Sequence, residues 1–238
     1  MARRPVDRLD EVMTAALRVF GDKGYRRTQM ADVAREMGVS PGTLYRYVTG
    51  KEALFHLVVD RAFARGEVAP PPAVPIPAPP PGATLARLRE RQTADTALPS
   101  LEAAVRRTRV SDARAELRGV VAELYARIEQ AWPGIVVLER SALEMPELAH
   151  VFYAEIRRGL LDRLERYLAA RMRAGRLRRV PTAAAARFVL ETIVWFAMHR
   201  HRDPLPSRID DVAARTAATD LIVNALAAPG RPHRSLKE

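Results

Sequence analysis

The chain has 238 residues, a net charge of +11 and no cysteine. This length is enough for a small domain and a larger one, each with its own hydrophobic core. The lack of cysteine excludes disulfides and thiolate metal sites, which fits a reducing cytoplasm. No apolar run approaches the roughly 18 residues of a membrane span, and the first residues lack the apolar core of a signal peptide. We therefore expect a cytoplasmic protein with no membrane partner.

The excess of basic residues favours an anionic partner without locating it. There are 39 lysines and arginines against 28 aspartates and glutamates, and they are spread along the chain rather than gathered in one segment. A basic surface attracts nucleic acid through long-range electrostatics. An arginine-rich and alanine-rich composition explains the same charge without any partner, so the charge alone leaves both interpretations open.

The amino-terminal residues predict three helices, of which the second and third are short. Apolar residues recur at helical spacing from Leu9 to Phe20, which indicates one amphipathic helix. They recur again from Met30 to Met37, with Thr28 placed to cap the amino end of that second helix. Each of these helices therefore has one face to bury.

The break between the second and third helices is short. Gly38 follows the last periodic residue and can take the left-handed backbone that closes a helix. Ser40 and Pro41 then stand at the cap and first-turn positions of the next helix. Two helices joined so tightly cross steeply, which is the geometry of a helix-turn-helix whose second helix enters the DNA major groove.

The second helix of this motif carries the side chains expected to contact double-stranded DNA. Thr43, Tyr45 and Arg46 are expected at base edges, because threonine can contact a thymine methyl group and arginine can fork onto guanine, while a tyrosine hydroxyl usually contacts a phosphate. A phosphate contact for Arg46 and a partly core position for Tyr45 are the alternatives. Leu44 and Val48 are expected to face inward as buried anchors. The full set of expected DNA-binding residues is Thr28, Ser40, Pro41, Gly42, Thr43, Tyr45, Arg46, Tyr47 and Lys51.

The start of the following helix predicts a phosphate site. Thr49 and Glu52 have the spacing of a capping box, and Lys51 lies in the first turn, where the helix dipole already favours an anion. Tyr47 and Lys51 are therefore expected to face DNA phosphates. The helix itself is predicted from Glu52 to about Gly66.

These residues resemble the amino-terminal domain of the tetracycline-repressor (TetR/AcrR) family of transcriptional regulators, over roughly Asp7 to Phe63. The most specific part is GVSPGTLYRYVTGKEALF, residues 38–55. Four earlier positions fit the family's Phe-x-x-x-Gly-Tyr run and the threonine after it: Phe20, Gly24, Tyr25 and Thr28. Two positions depart from the pattern. Val48 stands where the family commonly has phenylalanine, which loosens a core contact, and Gly50 where it often has serine.

Residues 67–82 are predicted to be a linker or a long loop. Eight prolines occur between Pro70 and Pro81. Proline offers no amide donor for a helix and favours the extended polyproline conformation, so the segment can act as a stiff spacer. A proline-rich ligand for a partner domain is the less favoured alternative.

Residues 83–228 are predicted to be entirely helical, followed by a flexible tail at 229–238. One apolar stripe runs from Leu117 to Ile128 and is predicted to stop near Pro133, before a helix over 134–144. Pro146 is predicted to open a long helix that Gly175 closes. Pro181 is predicted to open the next helix, over 184–200. Ser207, Asp210 and Asp211 are predicted to open the last helix, which runs through Ile222 to Leu226. No strand pattern occurs, so the fold class is all-α with an amino-terminal helix-turn-helix domain.

The resemblance implies that the carboxyl-terminal half binds a small-molecule effector and forms a homodimer through its last two long helices. The residues expected at the dimer interface are Ala185, Val189, Ile193, Phe196 and Val223, with Asp220 and Asn224 nearby. An apolar or aromatic effector is expected against Trp132, Phe152, Tyr153 and Trp195, although aromatic residues at helical spacing are more often ordinary core.

The sequence provides no catalytic, cofactor or metal motif. His199 and His201 are two residues apart on a helix, so they face opposite ways and cannot share a metal ion. We therefore predict a ligand-responsive transcriptional regulator rather than an enzyme. It is predicted to repress transcription as a homodimer on a palindromic operator. The alternative is a helical DNA-binding scaffold, or a protein that recruits a partner, without a small-molecule effector.

Overall fold

The computed structural model describes residues 8–64, 73–95, 98–205 and 208–228. Over these residues the structure consists of helices and two isolated backbone bridges, which confirms the all-α prediction. The α-helices are α1 (Leu9–Arg27), α2 (Met30–Glu36), α3 (Pro41–Leu44), α4 (Lys51–Ala62), α5 (Ala83–Asp95), α6 (Pro99–Arg106), α7 (Ala113–Ala142), α8 (Pro146–Ala149), α9 (Arg158–Arg173), α10 (Thr182–Ala197) and α11 (Asp211–Leu226). A π-helix (His150–Arg157) joins α8 to α9, and a 3-10 helix (His199–Arg202) follows α10.

The chain forms two compact units. The first contains the described residues within Met1–Ala97 together with Gln130–Gly159, and the second those within Leu98–Glu129 and Leu160–Glu238. These units do not follow the boundaries predicted at 66 and 83, because α5 and part of α7 belong with the amino-terminal helices. The predicted tail, 229–238, lies outside the described residues.

The core of the first unit is built on α1 and α4. Phe20 of α1 and Phe55 of α4 are buried, and their rings meet edge to face with centroids 5.3 Å apart. The ring of Tyr25 packs on that of Phe55, with centroids 4.8 Å apart. Regular helix geometry breaks inside α1 at Gly24, which has a φ of +79° and lies so close to α7 that a Cβ would meet the carbonyl oxygen of Arg140 at 3.1 Å. Only glycine fits both constraints without strain.

Two predicted helix boundaries in the carboxyl-terminal half are wrong. Pro133 does not end a helix, because it lies inside α7, which is continuous over its 30 residues. A proline inside a helix removes one backbone hydrogen bond, but buried side chains on both sides of it, at Ala131 and at Val136–Leu138, stabilise the continuous helix through tertiary packing. The long helix expected after Pro146 is present in three parts, because the π-helix interrupts it.

The second unit contains α10 and α11 packed against each other. Asp210 caps α11 by accepting a hydrogen bond from the amide of Ala213 at 2.8 Å, and Gly175 ends α9 with a φ of +66°. The two helices contact each other, and each carries fully buried residues, among them Val189 and Ile193 of α10 and Val223 of α11. This core determines which faces of the two helices are left for a partner.

Candidate nucleic-acid interface

The turn between α2 and α3 has the predicted geometry. Gly38 takes a φ of +67°, the left-handed conformation that ends α2. The amide of Val39 donates to the carbonyl of Ala34 at 2.9 Å, which satisfies a carbonyl at the end of that helix. Ser40 is the N-cap of α3 and Pro41 its first residue. The tight turn and the helix start predicted from the sequence are confirmed.

The residues of α3 and the turn after it divide into a buried and an exposed face. Leu44 and Val48 are completely buried and anchor the segment in the core of the first unit, as predicted. Tyr45 and Arg46 are exposed, and Thr43 is partly exposed with its hydroxyl 3.0 Å from that of Ser40. Pro41 and Gly42 are exposed as well. The three side chains predicted at base edges therefore lie on the open side of the motif.

Thr28 does not have its predicted role. Its side chain is 1% exposed and its hydroxyl donates to the carbonyl of Gly24 at 2.7 Å, so it terminates α1. The N-cap of α2 is Gln29, which forms a reciprocal capping box with Asp32. A threonine hydroxyl can bond backward to the preceding helix as readily as forward to the next, and here it bonds backward. The buried side chain cannot contact DNA in this conformation.

Tyr47 is also placed differently from the prediction. Its side chain is 6% exposed and belongs to the hydrophobic core of the first unit. An aromatic ring buried to this degree contributes mainly by packing, since it removes a large apolar area from water. A substitution of Tyr47 would therefore disturb this packing as well as any phosphate contact, so it cannot report on the phosphate contact alone.

The capping box predicted at the start of α4 is absent. The N-cap is Gly50, without a side-chain hydrogen bond, so Thr49 lies one residue outside the helix. The first amides of a 12-residue helix then lack an intrahelical partner and point outward. Lys51 is half-buried at this end, with its ammonium 3.2 Å from the carbonyl oxygen of Arg26 and 4.6 Å from the centre of the Tyr25 ring. These contacts place a positive charge beside the open helix end.

Several cations of the first unit are paired within the chain. Lys23 lies 2.7 Å from Asp32, and its hydrogen bond to that carboxylate lowers the pKa of Asp32. Arg18 pairs with Glu36 at 3.1 Å. The pair of Arg18 with Glu36 is exposed on both sides, and such pairs contribute little to stability and are weakened by salt. The number of basic residues therefore overstates the positive charge that this surface offers to an anion.

Sequence patterns gave no indication of a backbone contact between the proline-rich segment and the motif. The amide of Ile76 donates to the carbonyl of Tyr47 at 2.7 Å, and the amide of Thr49 donates to the carbonyl of Ile76 at 2.9 Å. These bonds form a parallel bridge between Val48 and Ile76. Residues 73–82 are therefore attached to the end of the helix-turn-helix rather than extending away as a free spacer.

The residues predicted at a dimer interface are mostly buried inside the single chain. Ala185, Val189, Ile193 and Val223 are each at most 3% exposed before any partner is present, so the prediction that they form the interface is wrong. Phe196 is partly buried, and its carbonyl oxygen accepts hydrogen bonds from Tyr125 and Arg200.

Two further residues expected near the interface are engaged by α7. Arg118 lies 2.7 Å from the carboxylate of Asp220, and Arg114 donates to the side chain of Asn224. The large apolar side chains of α10 and α11 that remain exposed in the chain are Phe188, Trp195, Leu221 and Val212.

The aromatic residues predicted to line one effector pocket are not gathered in one unit. Phe152 is buried in the core of the first unit, with the exposed ring of Tyr153 at 4.8 Å, and Trp132 is partly buried there. Trp195 belongs to the second unit, where it stacks edge to face on Phe196 at 4.9 Å and is 40% exposed.

The described part of the chain, residues 8–64, 73–95, 98–205 and 208–228, has neither a membrane-spanning helix nor a metal-binding cluster. No helix there is long and apolar enough to cross a membrane. Within the same ranges, no group of three or more histidine, cysteine, aspartate or glutamate side chains is placed to hold a metal ion.

An all-α chain whose amino-terminal unit carries an exposed and well-anchored helix-turn-helix belongs to a broad class of DNA-binding proteins. Two family models identify the particular group. Residues 12–58 match the model for bacterial regulatory proteins of the tetR family, and residues 136–226 match the model for the carboxyl-terminal domain of AefR-like transcriptional repressors. The chain belongs to the TetR family of transcriptional regulators.

Curated relatives are described as HTH-type transcriptional repressors or regulators. The HTH-type transcriptional repressor ComR of Escherichia coli K12 is 38% identical over 56 residues, which cover 24% of this chain and 27% of ComR. The chain thus matches only about a quarter of the length of such curated relatives.

Solved structures match over nearly the whole fold. The ketosteroid transcriptional regulator KstR2 of Mycobacterium tuberculosis has a TM-score of 0.56 at 16% identity, with 93% of this chain and 96% of KstR2 covered. AibR, in complex with isovaleryl coenzyme A and operator DNA, has a TM-score of 0.53 at 18% identity, covering 93% and 99%. At these identities the likeness shows the fold alone.

Proposed function

We propose that this protein is a transcriptional repressor that binds a palindromic operator as a homodimer and leaves it when a small molecule binds. The observation that carries the DNA-binding part is the division of the α3 segment into two faces. Leu44 and Val48 are completely buried, while Tyr45 and Arg46 are exposed beside Thr43. Direct readout of a major groove requires a helix that is packed on the protein core on one side and presents base-contacting side chains on the other.

The homodimer is proposed to form through the outer faces of α10 and α11. Phe188 and Trp195 are two turns apart on α10 and remain 41% and 40% exposed, and Leu221 on α11 is 55% exposed. Large apolar side chains exposed on neighbouring helices are typical of an interface that a second copy covers. A two-fold dimer presents two α3 segments to two half-sites, which is why the operator is proposed to be palindromic.

The effector is proposed to be a small apolar or aromatic molecule. AibR, which shares the fold, was solved with isovaleryl coenzyme A. Of the aromatic residues predicted for a pocket, Tyr153 is the most open in the first unit, beside the buried Phe152. A hundredfold release of DNA needs about 2.7 kcal/mol of coupling between the two ligands. Thermal stabilisation by acyl-coenzyme A thioesters and aromatic acids, followed by titration of DNA release, tests this part.

Substitutions at Thr43 and Lys51 are expected to have different effects on DNA binding. Thr43→Val removes a hydroxyl at the base-reading face, so we expect relaxed sequence choice at one operator position at a cost of about 1–3 kcal/mol. Lys51→Ala removes a cation beside the open end of α4, so we expect specific and random DNA to be weakened alike. The slope of log affinity against log salt should then fall by about one unit.

The measurement is a fluorescence-anisotropy titration at several salt concentrations, with an operator first selected from genomic fragments by the unaltered protein. Arg202→Ala, a change of an exposed cation outside the helix-turn-helix, serves as the control and should leave the salt slope unchanged. A Lys51→Ala protein with unaltered affinity and slope would show that this end of α4 does not bind phosphate. Failure of the unaltered protein to select any fragment would refute the DNA-binding proposal itself.

A further inference from the structure

The recognition segment, residues 41–49, comprises α3 and the turn after it. Its end is held by a residue that lies far from it in sequence. Ile76 donates its amide to the carbonyl of Tyr47 at 2.7 Å and accepts from the amide of Thr49 at 2.9 Å. Both of its backbone groups are thus bonded to the two neighbours of Val48. Its side chain is partly buried and packs against the hydrophobic core of the first unit.

The recognition segment needs such a support because it is short. Only Pro41–Leu44 is regular α-helix, and the following residues form turns in which Arg46 and Tyr47 donate to carbonyls three residues earlier. A single helical turn has almost no stability of its own. The position of Tyr45 and Arg46 therefore depends on what fixes the chain after them.

The prolines on either side make Ile76 suited to this role. Pro75 and Pro77 have no amide hydrogen, and a residue that precedes proline is restricted to extended conformations. Ile76 is consequently extended before it pairs, and little conformational entropy is lost when its two hydrogen bonds form. The prolines also prevent the bridge from growing into a longer strand pair.

The chain is fixed again just after this segment. His56 of α4 lies 3.0 Å from the hydroxyl of Thr84 on α5, and Asp60 accepts from Arg87 at 2.6 Å and from Arg91 at 3.0 Å. Burial would raise the pKa of Asp60, but its hydrogen bonds to the two arginines outweigh this and hold the pKa below its ordinary value. The carboxylate therefore stays charged and keeps α5 against α4.

We propose that Ile76 is a positioning residue for DNA recognition: its two backbone hydrogen bonds and its buried side chain hold the Tyr47–Thr49 end of the recognition segment, and so aim Tyr45 and Arg46. Residues 73–82 of the proline-rich run are then a functional part of the DNA-binding unit rather than a spacer. This inference rests on the proposed operator binding and adds a residue that the helix-turn-helix motif does not contain.

The first test compares the full-length protein with its Ile76→Ala and Ile76→Val variants. We expect Ile76→Ala to lower operator affinity about tenfold, which corresponds to about 1.4 kcal/mol, while affinity for random DNA changes much less. Ile76→Val keeps a β-branched side chain and should restore most of the affinity. A purely structural role would instead lower both affinities together, in proportion to the unfolded fraction.

Amide hydrogen exchange gives a readout that is independent of DNA. In the Ile76→Ala protein the amide of Thr49 should exchange at least about tenfold faster, whereas the amides of α1 around Val19 should be unchanged. The double variant Pro75→Ala/Pro77→Ala should also accelerate exchange at Thr49, because it leaves Ile76 unrestrained. Pro79→Ala/Pro80→Ala removes two prolines from the same run outside the bridge and should have no effect.

Unchanged exchange at Thr49 together with an unchanged ratio of operator to random-DNA affinity in Ile76→Ala would overturn the proposal. If the unaltered protein selects no operator, the repressor function fails. Amide exchange at Thr49 in the Ile76→Ala protein then decides separately whether Ile76 holds the recognition segment. An unchanged exchange rate would show that it does not.

Discussion

Aspartate at Phe188 is expected to separate the proposed homodimer into folded monomers and to lower affinity for the proposed operator by at least about a hundredfold. The side chain is 41% exposed on α10, so the monomer tolerates the change, but in a two-fold interface the new carboxylates would be buried near each other without partners. Such burial costs several kcal/mol. Sedimentation velocity reports the oligomeric state, circular dichroism the helix content, and anisotropy the affinity.

Two controls separate loss of the dimer from loss of the fold. Val189→Asp introduces the same charge one residue further along α10, at a fully buried position, and is expected to unfold the second unit. Leu205→Asp introduces it at a side chain that is 79% exposed and outside both helices, and should change nothing. A Phe188→Asp protein that still sediments as a dimer and binds a full palindrome would place the interface elsewhere.

The sequence located the helix-turn-helix well because its signals are local. Gly38 needs a left-handed backbone, Ser40 and Pro41 can start a helix together, and Leu44 and Val48 are one turn apart on an otherwise polar segment. Each feature acts over fewer than about five residues, within the range in which backbone chemistry determines structure. The structure confirms all of them.

The dimer face could not be read from periodicity. The helix α10, TAAAARFVLETIVWFA, has large apolar residues on two sides: an unbroken stripe contains Val189 and Ile193, and a second stripe, interrupted by Glu191, contains Phe188 and Trp195. Large apolar residues on two sides of one helix do not reveal which side meets its own chain and which a partner. Only the packing of α10 on α11 distinguishes the two stripes.

Tertiary contacts also explain the errors at single residues. The hydroxyl of Thr28 had two possible partners, an amide of α2 from which it could accept and the carbonyl of Gly24 to which it donates, and the approach of Gly24 to α7 fixed the end of α1 beneath it. For Tyr47 the sequence did not distinguish a phosphate contact from a core contact, because a tyrosine can make either. The composition of the proline run predicted an extended chain, but its pairing with Val48 depends on a fold that composition does not contain.

Gly134→Ala is expected to destabilise the first unit, although alanine is the better helix former. An added Cβ at this position of α7 would meet the Cβ of Ala62 at 2.4 Å and the ring of Phe63 at 3.0 Å, at the end of α4. The Cβ of Ala62 is fixed by the backbone and cannot turn aside, so the end of α4 must shift. Overpacking of this kind costs about 1–3 kcal/mol, and the helix propensity gain of about 1 kcal/mol offsets part of it.

The same substitution at Gly119 is the matched control, because it lies on the same helix and its added Cβ meets nothing within 4 Å. Gly119→Ala should stabilise the protein by about 0.5–1 kcal/mol through reduced freedom of the unfolded chain. Opposite shifts of the thermal midpoint are therefore expected, downward for Gly134→Ala and upward for Gly119→Ala, by about 2–4 °C per kcal/mol in a chain of this size. The amide of Phe63 should exchange faster only in Gly134→Ala, because only there does the added Cβ displace the end of α4. Stabilisation by both substitutions would mean that α4 and α7 do not approach each other this closely.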